Sequence, residues 1–382
     1  MIRKLFVITP EFPPASGGCA RSSYELATGL VREGQKCDVI VVNESFKPDS
    51  KFTKDLNLSV ISANPRKVIH ILRIIINLRK LVSEDDVIHV YNVFLTPIVS
   101  LACFGKKVKI FATLNNYNWG CLNPIYYAQN SCKVCTISSR MNCSNYKKNI
   151  IFTLITPILN NVSGFFTFTN EMEKIYRLNG RKRKFFRVQN FLDKDLKIAH
   201  LDKVKLKNNA KKKNRIAYIG SLDDRKGIDL FLQTSTRIIG DTDIFVCTTD
   251  DYRNYEKEYP NVIFKKFSVS NKAEYKDFLT NLDLLVHPCR WNEPFARVWI
   301  EASAYGCAIL TSRLTGHSEI LGDAAAYFDN DSANDLTCKI NDLMMNSNRL
   351  EAYKIRSFEW YSNLKSNDDI VATIVDSYWY ND

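Results

Sequence analysis

The feature that most constrains this chain is a repeated alternation of short apolar runs with stretches of helical periodicity. Residues 5–8 (Leu-Phe-Val-Ile) form the first run, and a Pro/Gly loop over 10–18 follows. Residues 21–32 then place Tyr24, Leu26, Ala27, Leu30 and Val31 at roughly helical spacing, with Gly34 as a stop, before a second run at 38–42. A run that is apolar at successive positions is buried on both faces, as strands of a parallel sheet are. Strand, helix and strand in that order make a right-handed crossover unit. The pattern recurs at 87–90, 109–112 and 164–168. A second series starts at 215–220 and continues at 243–247, 262–264, 284–286 and 308–310, with helices expected over 228–238, 273–281, 296–305 and 334–345. Between the two series, residues 202–215 hold seven Lys/Arg and almost no apolar side chain, which reads as a linker.

At 382 residues the chain has room for two domains. The expected fold class is therefore α/β, with two Rossmann-like doubly wound domains facing across a cleft and ligands at the carboxyl ends of the strands. The expected boundaries are 1–195 for the first domain, 196–215 for a basic linker, 216–355 for the second domain, and 356–382 for a segment crossing back to the first. With 45% hydrophobic and 25% charged residues, a disordered chain or a collagen-like repeat is excluded. No period of 20–50 residues points to a solenoid or propeller.

Charge separates the two halves. Residues 1–195 carry 28 basic and 14 acidic side chains, whereas residues 216–382 carry 17 and 26. The basic half is expected to face something anionic, and an anionic membrane surface fits. The basic runs at 181–184 and 211–213 lack interleaved stacking aromatics apart from Phe185-Phe186, so nucleic acid is not an expected partner. Residues 66–82 read as a helix with a basic stripe (Arg66, His70, Arg73, Lys80) and a broad apolar face. Such a helix either covers the sheet or lies in a membrane interface, and the first is preferred. The start of the chain reads as a buried strand ending at Pro10 rather than a signal peptide, and no stretch reaches the ~20 apolar residues of a membrane span. The expected location is cytoplasmic, peripheral at most on the inner face of the membrane. The 11 cysteines are then thiols or ligands rather than disulfides.

The most specific local pattern is Glu293-Pro294-Phe295-Ala296-Arg297-Val298-Trp299-Ile300-Glu301. Two carboxylates are separated by seven residues after a buried strand, with Pro294 near an expected helix N-terminus. Such an N-terminus can receive an anion. On spacing alone the reading favoured is a capped core helix carrying two surface glutamates.

Residues 286–302, with 304–306, 309–312 and 316–319, resemble a family 4 glycosyltransferase and its Glu-x7-Glu signature. Residues 10–18 resemble that family's proline-rich Gly-Gly loop, 220–227 its Lys-Gly phosphate segment, and 188–193 the turn before its linker. The resemblance implies the GT-B architecture and a retaining sugar transfer from a nucleotide-sugar donor, without an obligatory metal cofactor. The acceptor would be a glycan or a lipid-diphosphate-linked one, as in surface polysaccharide or lipopolysaccharide assembly. It implies that Glu293 contacts donor hydroxyls and Glu301 the ribose. Backbone at Pro294, Phe295, Ala296 and Arg297, with Gly17, Gly18, Ser221, Gly316 and His317, would hold sugar and diphosphate. Lys226 and Arg225 would neutralise the leaving group, where negative charge develops.

The chain departs from the family pattern at four positions. Ser221 replaces an Arg, Ala296 a Gly, Thr315 the first glycine of a pair, and Asn115 a His. An amide cannot take a proton near neutral pH, which leaves the departing phosphate as the base. His89 is a candidate to take the place of the missing histidine on the acceptor side with Asn115. His287 reads as strand-end packing. Asp223-Asp224 and Asp250-Asp251 read as solvated loop carboxylates. Within an insertion over about 115–148, Cys121, Cys132, Cys135 and Cys143 have the spacing of a structural zinc site, of four reduced thiols, or of a disulfide. Two other functions fit the same fold: a nucleotide-sugar epimerase or hydrolase, and a non-catalytic glycan- or membrane-binding paralogue.

Overall fold

The computed structural model describes residues 4–15, 17–125, 141, 143, 146–159, 161–178, 183–192, 213–266 and 272–379. The chain divides into two compact units. One is Met1–Pro124, Ser131–Phe191 and Lys365–Asp382; the other is Ile125–Asn130 and Leu192–Leu364.

The first unit is built on seven parallel strands. They are β1 (Leu5–Thr9), β2 (Cys37–Val42), β3 (Asn57–Ile61), β4 (Val87–Val90), β5 (Lys109–Thr113), β6 (Gly164–Thr167) and β7 (Lys184–Arg187). Their order in the sheet is β3-β2-β1-β4-β5-β6-β7. The central strands are the apolar runs, and every residue of β1 and β4 is buried. Each such Val, Leu or Ile is worth ~1.5–3 kcal/mol of burial. Helix Gly18–Arg32 covers β1 and β2. The last helix, Asn367–Trp379, packs on it and sends Ile370, Val371, Ile374 and Tyr378 into the cluster around Leu5, Val7 and Phe111. Gly29 permits that contact, since a Cβ there would lie 2.5 Å from Val371 Cγ2.

The second unit has six parallel strands: β8 (Asn214–Ile219), β9 (Thr242–Cys247), β10 (Ile263–Lys265), β11 (Leu284–His287), β12 (Ala308–Ser312) and β13 (Ala325–Phe328). Their order is β10-β9-β8-β11-β12-β13. Helix Ser347–Ser362 belongs to this unit. Its Tyr361 joins the apolar cluster of Trp299 and Ile300, and its Lys354 forms a buried 2.7 Å ion pair with Asp283. The chain thus passes to the first unit at Lys365, after that helix has ended.

Three strands were not expected from the sequence. β3, at a sheet edge, alternates exposed and half-buried positions before its buried Ile61, so it never forms an apolar run. β7 is hidden in a basic stretch, and β13 is four residues with two alanines. Helix Val68–Leu81 differs from the preferred reading as a cover for the sheet, because it buries only Ile74 and Leu78.

Candidate active site

In the second unit the polar side chains converge beyond the carboxyl ends of β8, β11 and β12. β8 runs into the 220–227 loop, which ends in a short turn, Asp224–Lys226, before helix Ile228–Ser235. Three contacts clip this loop to the segment after β11. Arg290 N donates to the Arg225 carbonyl at 2.9 Å, and Arg290 Nη1 donates to the Asp224 carbonyl at 2.9 Å. Gly227 lies against Pro288 with φ of 71°, and a Cβ there would meet the Pro288 carbonyl at 2.0 Å. Only glycine satisfies both the left-handed backbone and that approach. Arg290 itself is fixed by Asp229 and Asp331, each at 2.6 Å.

The clip brings Lys226 to Glu293 across 67 residues of sequence, with Lys226 Nζ 2.5 Å from Glu293 Oε1. On the other oxygen, His287 Nε2 donates to Glu293 Oε2 at 3.0 Å. Glu293 N donates to His317 Nε2 at 3.2 Å. His317 therefore carries its proton on Nδ1, which faces the Ser312 carbonyl and Thr311 Oγ1. The Glu293 side chain is 14% exposed and that of Lys226 24%. Burial alone would raise the Glu293 carboxyl, but the Lys226 cation and the His287 hydrogen bond outweigh it and hold the group well below the usual range. Burial works against the Lys226 charge too, yet Glu293 keeps that amine above its ordinary value. His287 is pushed down by burial, partly offset by Glu293, and burial lowers His317 to about 3. The pair is thus a fixed carboxylate and ammonium flanked by two neutral imidazoles.

Glu293 stands outside the helix that follows it. Helix Arg297–Ala304 begins four residues later, with Ala296 as an N-cap that offers no side-chain acceptor. The two carboxylates of the Glu-x7-Glu segment therefore do not share a helix face, and Pro294 precedes the first turn. Glu301 lies in the helix. Its Oε2 accepts from Tyr275 at 2.7 Å, and Arg297 Nε is 4.0 Å from its other oxygen. An uncapped first turn presents backbone N–H groups and a partial positive charge.

Other expected residues fall elsewhere. Arg225 is exposed and held by Asp223 at 2.8 Å, over the Trp291 ring, so its charge is already paired. The Ser221 carbonyl accepts from Tyr218, and Leu222 N donates to Asp250 at 2.7 Å. Asp223 and Asp250 are thus loop-shaping acceptors rather than merely solvated groups. Gly316 N donates to Asn292 Oδ1 at 2.8 Å. His317 is fully buried with both ring nitrogens engaged inside the protein, so it orients Glu293 rather than turning to a ligand. His287 is more than strand-end packing, because it bonds the central carboxylate.

In the first unit, Gly17 caps helix Gly18–Arg32, and Asn115 Nδ2 donates to Cys19 Sγ at 3.3 Å. Asn92 and Asn116 complete this polar cluster after β1, β4 and β5. His89 is not part of it. It is fully buried, 2.6 Å from Thr113 and 2.5 Å from Tyr378, and stacked on Phe166, so its place is the core rather than the acceptor side.

Cys132 and Cys135 lie outside the described residues, and with them the four-cysteine arrangement. Among the described residues, donor atoms of His287, Cys289 and His317 lie within 4.8 Å of one another. Both histidines have internal partners, and Cys289 Sγ is 3.2 Å from the Arg225 carbonyl. The set reads as a network that positions Glu293. Cys289, Asn292 and Tyr275 were not singled out from the sequence. The first two lie inside the signature segment, whereas no local signal marks Tyr275.

Residues 202–360 match the family model described as Glycosyl transferases group 1. Two Klebsiella pneumoniae proteins described as uncharacterized proteins in the cps region are similar over part of the chain. The 42.6 kDa one is 28% identical over 106 residues, which is 28% of each chain. The 41.2 kDa one is 30% identical over 141 residues, 35% of this chain and 37% of the relative. The matches thus span about a third of those relatives. Among solved structures, WaaG, a glycosyltransferase involved in lipopolysaccharide biosynthesis, aligns with a TM-score of 0.71 at 14% identity over 99% of this chain and 100% of that one. Anabaena HepE in complex with UDP and glucose aligns with a TM-score of 0.71 at 13% identity over 98% and 99%. The fold is GT-B.

Proposed function

We propose that this chain is a glycosyltransferase that moves a sugar from a nucleotide-sugar donor to a glycan or lipid-diphosphate-linked acceptor in surface polysaccharide assembly. The observation that carries the reading is the Lys226–Glu293–His287 array beside the uncapped N-terminus of helix Arg297–Ala304. Lys226 has two N–H groups beyond the one directed at Glu293, and they can turn to a diphosphate. As the sugar–phosphate bond breaks, negative charge grows on the leaving oxygen, and a preorganised ammonium with helix N–H groups stabilises it. Glu293 Oε1, bonded among the described residues only to Lys226, has lone-pair capacity left to accept a donor hydroxyl, and in this reading Glu301 accepts from the ribose. His287 and His317 hold Glu293 in position. The acceptor proton passes to the departing phosphate, with retention at the anomeric carbon, and Lys226 supplies the charge stabilisation. The cps-region relatives and the WaaG likeness support the polysaccharide setting.

The test is a thermal-shift panel of nucleotide sugars on the full chain, beginning with UDP-glucose because HepE is known in complex with it. A rise in melting temperature with one donor, lost in Lys226→Ala, is expected. No rise with any donor, in folded protein, overturns the assignment and favours a non-catalytic paralogue.

A further inference from the structure

We propose that the helical face of the first unit centred on Val68–Leu81 docks on an anionic lipid bilayer. This helix gives only Ile74 and Leu78 to the interior, while Val68 is 80% exposed, Ile69 75%, Leu72 61% and Ile76 54%. At about 100° per residue these four positions fall within an arc of about 100°. Arg73 and Lys80 follow within about 40° of its edge. The apolar surface continues onto neighbouring elements. Helix Thr96–Ala102 packs against both Val68–Leu81 and Tyr146–Leu159. Phe104, just after it, is 70% exposed, and Leu154 of the third helix is 68% exposed. Arg79 donates to the Phe104 carbonyl at 2.8 Å and ties that segment to the first helix.

Charge identifies the occupant. No Asp or Glu occurs between Asp55 and Glu84, or between Asp86 and Glu171, so none of these helices carries an acid. Arg66, Arg73, Lys80 and Lys107 are exposed and have no ion-pair partner among the described residues. Glu44 reaches the first turn but is engaged by Lys67 and His70, so an isologous contact with a second copy would set the remaining cations of this face against one another. A nucleic acid would leave the aliphatic arc without a partner, since stacking needs aromatic rings. A bilayer with anionic headgroups satisfies both parts. Leu72, Ile76 and Phe104 enter the headgroup–acyl boundary, and the bordering cations meet lipid phosphates. No helix among the described residues is long and apolar enough to cross a membrane, so the contact is in-plane. The inference rests on the transfer reading only in taking the acceptor to be lipid-borne, since the surface is argued from exposure and charge.

The full chain is sedimented with phosphatidylcholine vesicles and with phosphatidylcholine–phosphatidylglycerol vesicles, at low and high salt. Binding is expected only to the second, weakening as salt rises. R73E/K80E is expected to bind at least ~10-fold more weakly. L72N/I76N is expected to lose a similar factor through its apolar contact, since these side chains are exposed and the fold should stand. The nucleotide-sugar thermal shift of both variants should equal that of the parent, so failure of docking is distinguishable from failure of donor binding. Absence of wild-type binding, binding unaffected by both variants, or a wild-type dimer dispersed by L72N/I76N overturns the proposal.

Discussion

The first six strands of the two sheets follow the same order, and the fourth strand of each has an aspartate just before it and a histidine within it. In the first unit Asp86 precedes β4 and His89 lies within it. In the second, Asp283 precedes β11 and His287 ends it. Each aspartate accepts a backbone N–H from the start of its sheet's first strand, Lys4 N at 3.2 Å and Arg215 N at 2.9 Å. Each histidine meets a threonine of the fifth strand, Thr113 or Thr311. The difference is one residue. Val87 pairs with Leu5 as Leu284 pairs with Ile216, which aligns His89 with Val286 and not with His287. Side chains alternate along a strand, so a one-residue offset turns the imidazole to the other sheet face. His89 consequently meets Tyr378 of the last helix and becomes core. His287 reaches past the strand end to Glu293 and becomes part of a site.

The largest test of this comparison concerns the aspartates. Asp283 carries a second partner that Asp86 lacks, the buried Lys354 ammonium. Lys354→Met leaves a buried carboxylate unpaired and should cost about 3–5 kcal/mol in urea unfolding, with much of it recovered when Asp283→Asn is added. Asp86 is satisfied by the backbone of Lys4 and Ser83, so Asp86→Asn should cost less, about 1–3 kcal/mol.

The next effect separates site from core. Glu293→Gln and Lys226→Ala should each lower transfer by about 10²–10³-fold, in kcat more than KM. Tyr378→Phe, beside the other histidine, should leave the rate per folded molecule unchanged. Equal losses in both places would break the comparison.

Acid sharpens it further. Burial lowers His89 and His317 from 6.5 to about 3, so the unfolded chain takes up protons that the native one refuses. Their contribution is full above about pH 6.5 and falls as the pH drops below it, by about 2 kcal/mol per histidine at pH 5. Glu293 acts in a lower window, because its depressed carboxyl starts to lose its stabilising share as the pH falls through the ordinary carboxylate value of 4.5 and goes on losing it below. Urea midpoints at pH 7.5 and 5.0 measure the drop, and His89→Gln should remove the first unit's part of it. The smallest expected effect is the stability change of Tyr378→Phe, about 1 kcal/mol for one buried hydrogen bond.

The central strands were readable because an apolar run has one stable place, the middle of a parallel sheet. The edge strands β3 and β7 were not, because exposed edges impose little pattern and charge masks them. The site was legible in the Glu293–Glu301 segment and at Lys226, but their relation was not. The helix begins at Arg297, so no periodicity connects Glu293 to Glu301. Nothing local announces that Gly227 must press against Pro288 for Lys226 to reach Glu293.

The two alternating α/β series, the basic and acidic halves, and the residue types gathered at the second unit's strand ends are legible along the chain without a structure. These follow from burial and periodicity, which act locally along the chain. Tertiary structure alone decided which histidine is core and which serves a site, that Arg225 is already paired, and that helix Val68–Leu81 keeps an aliphatic face exposed. Each depends on strand register or on a partner far away in sequence, and a one-dimensional pattern holds neither.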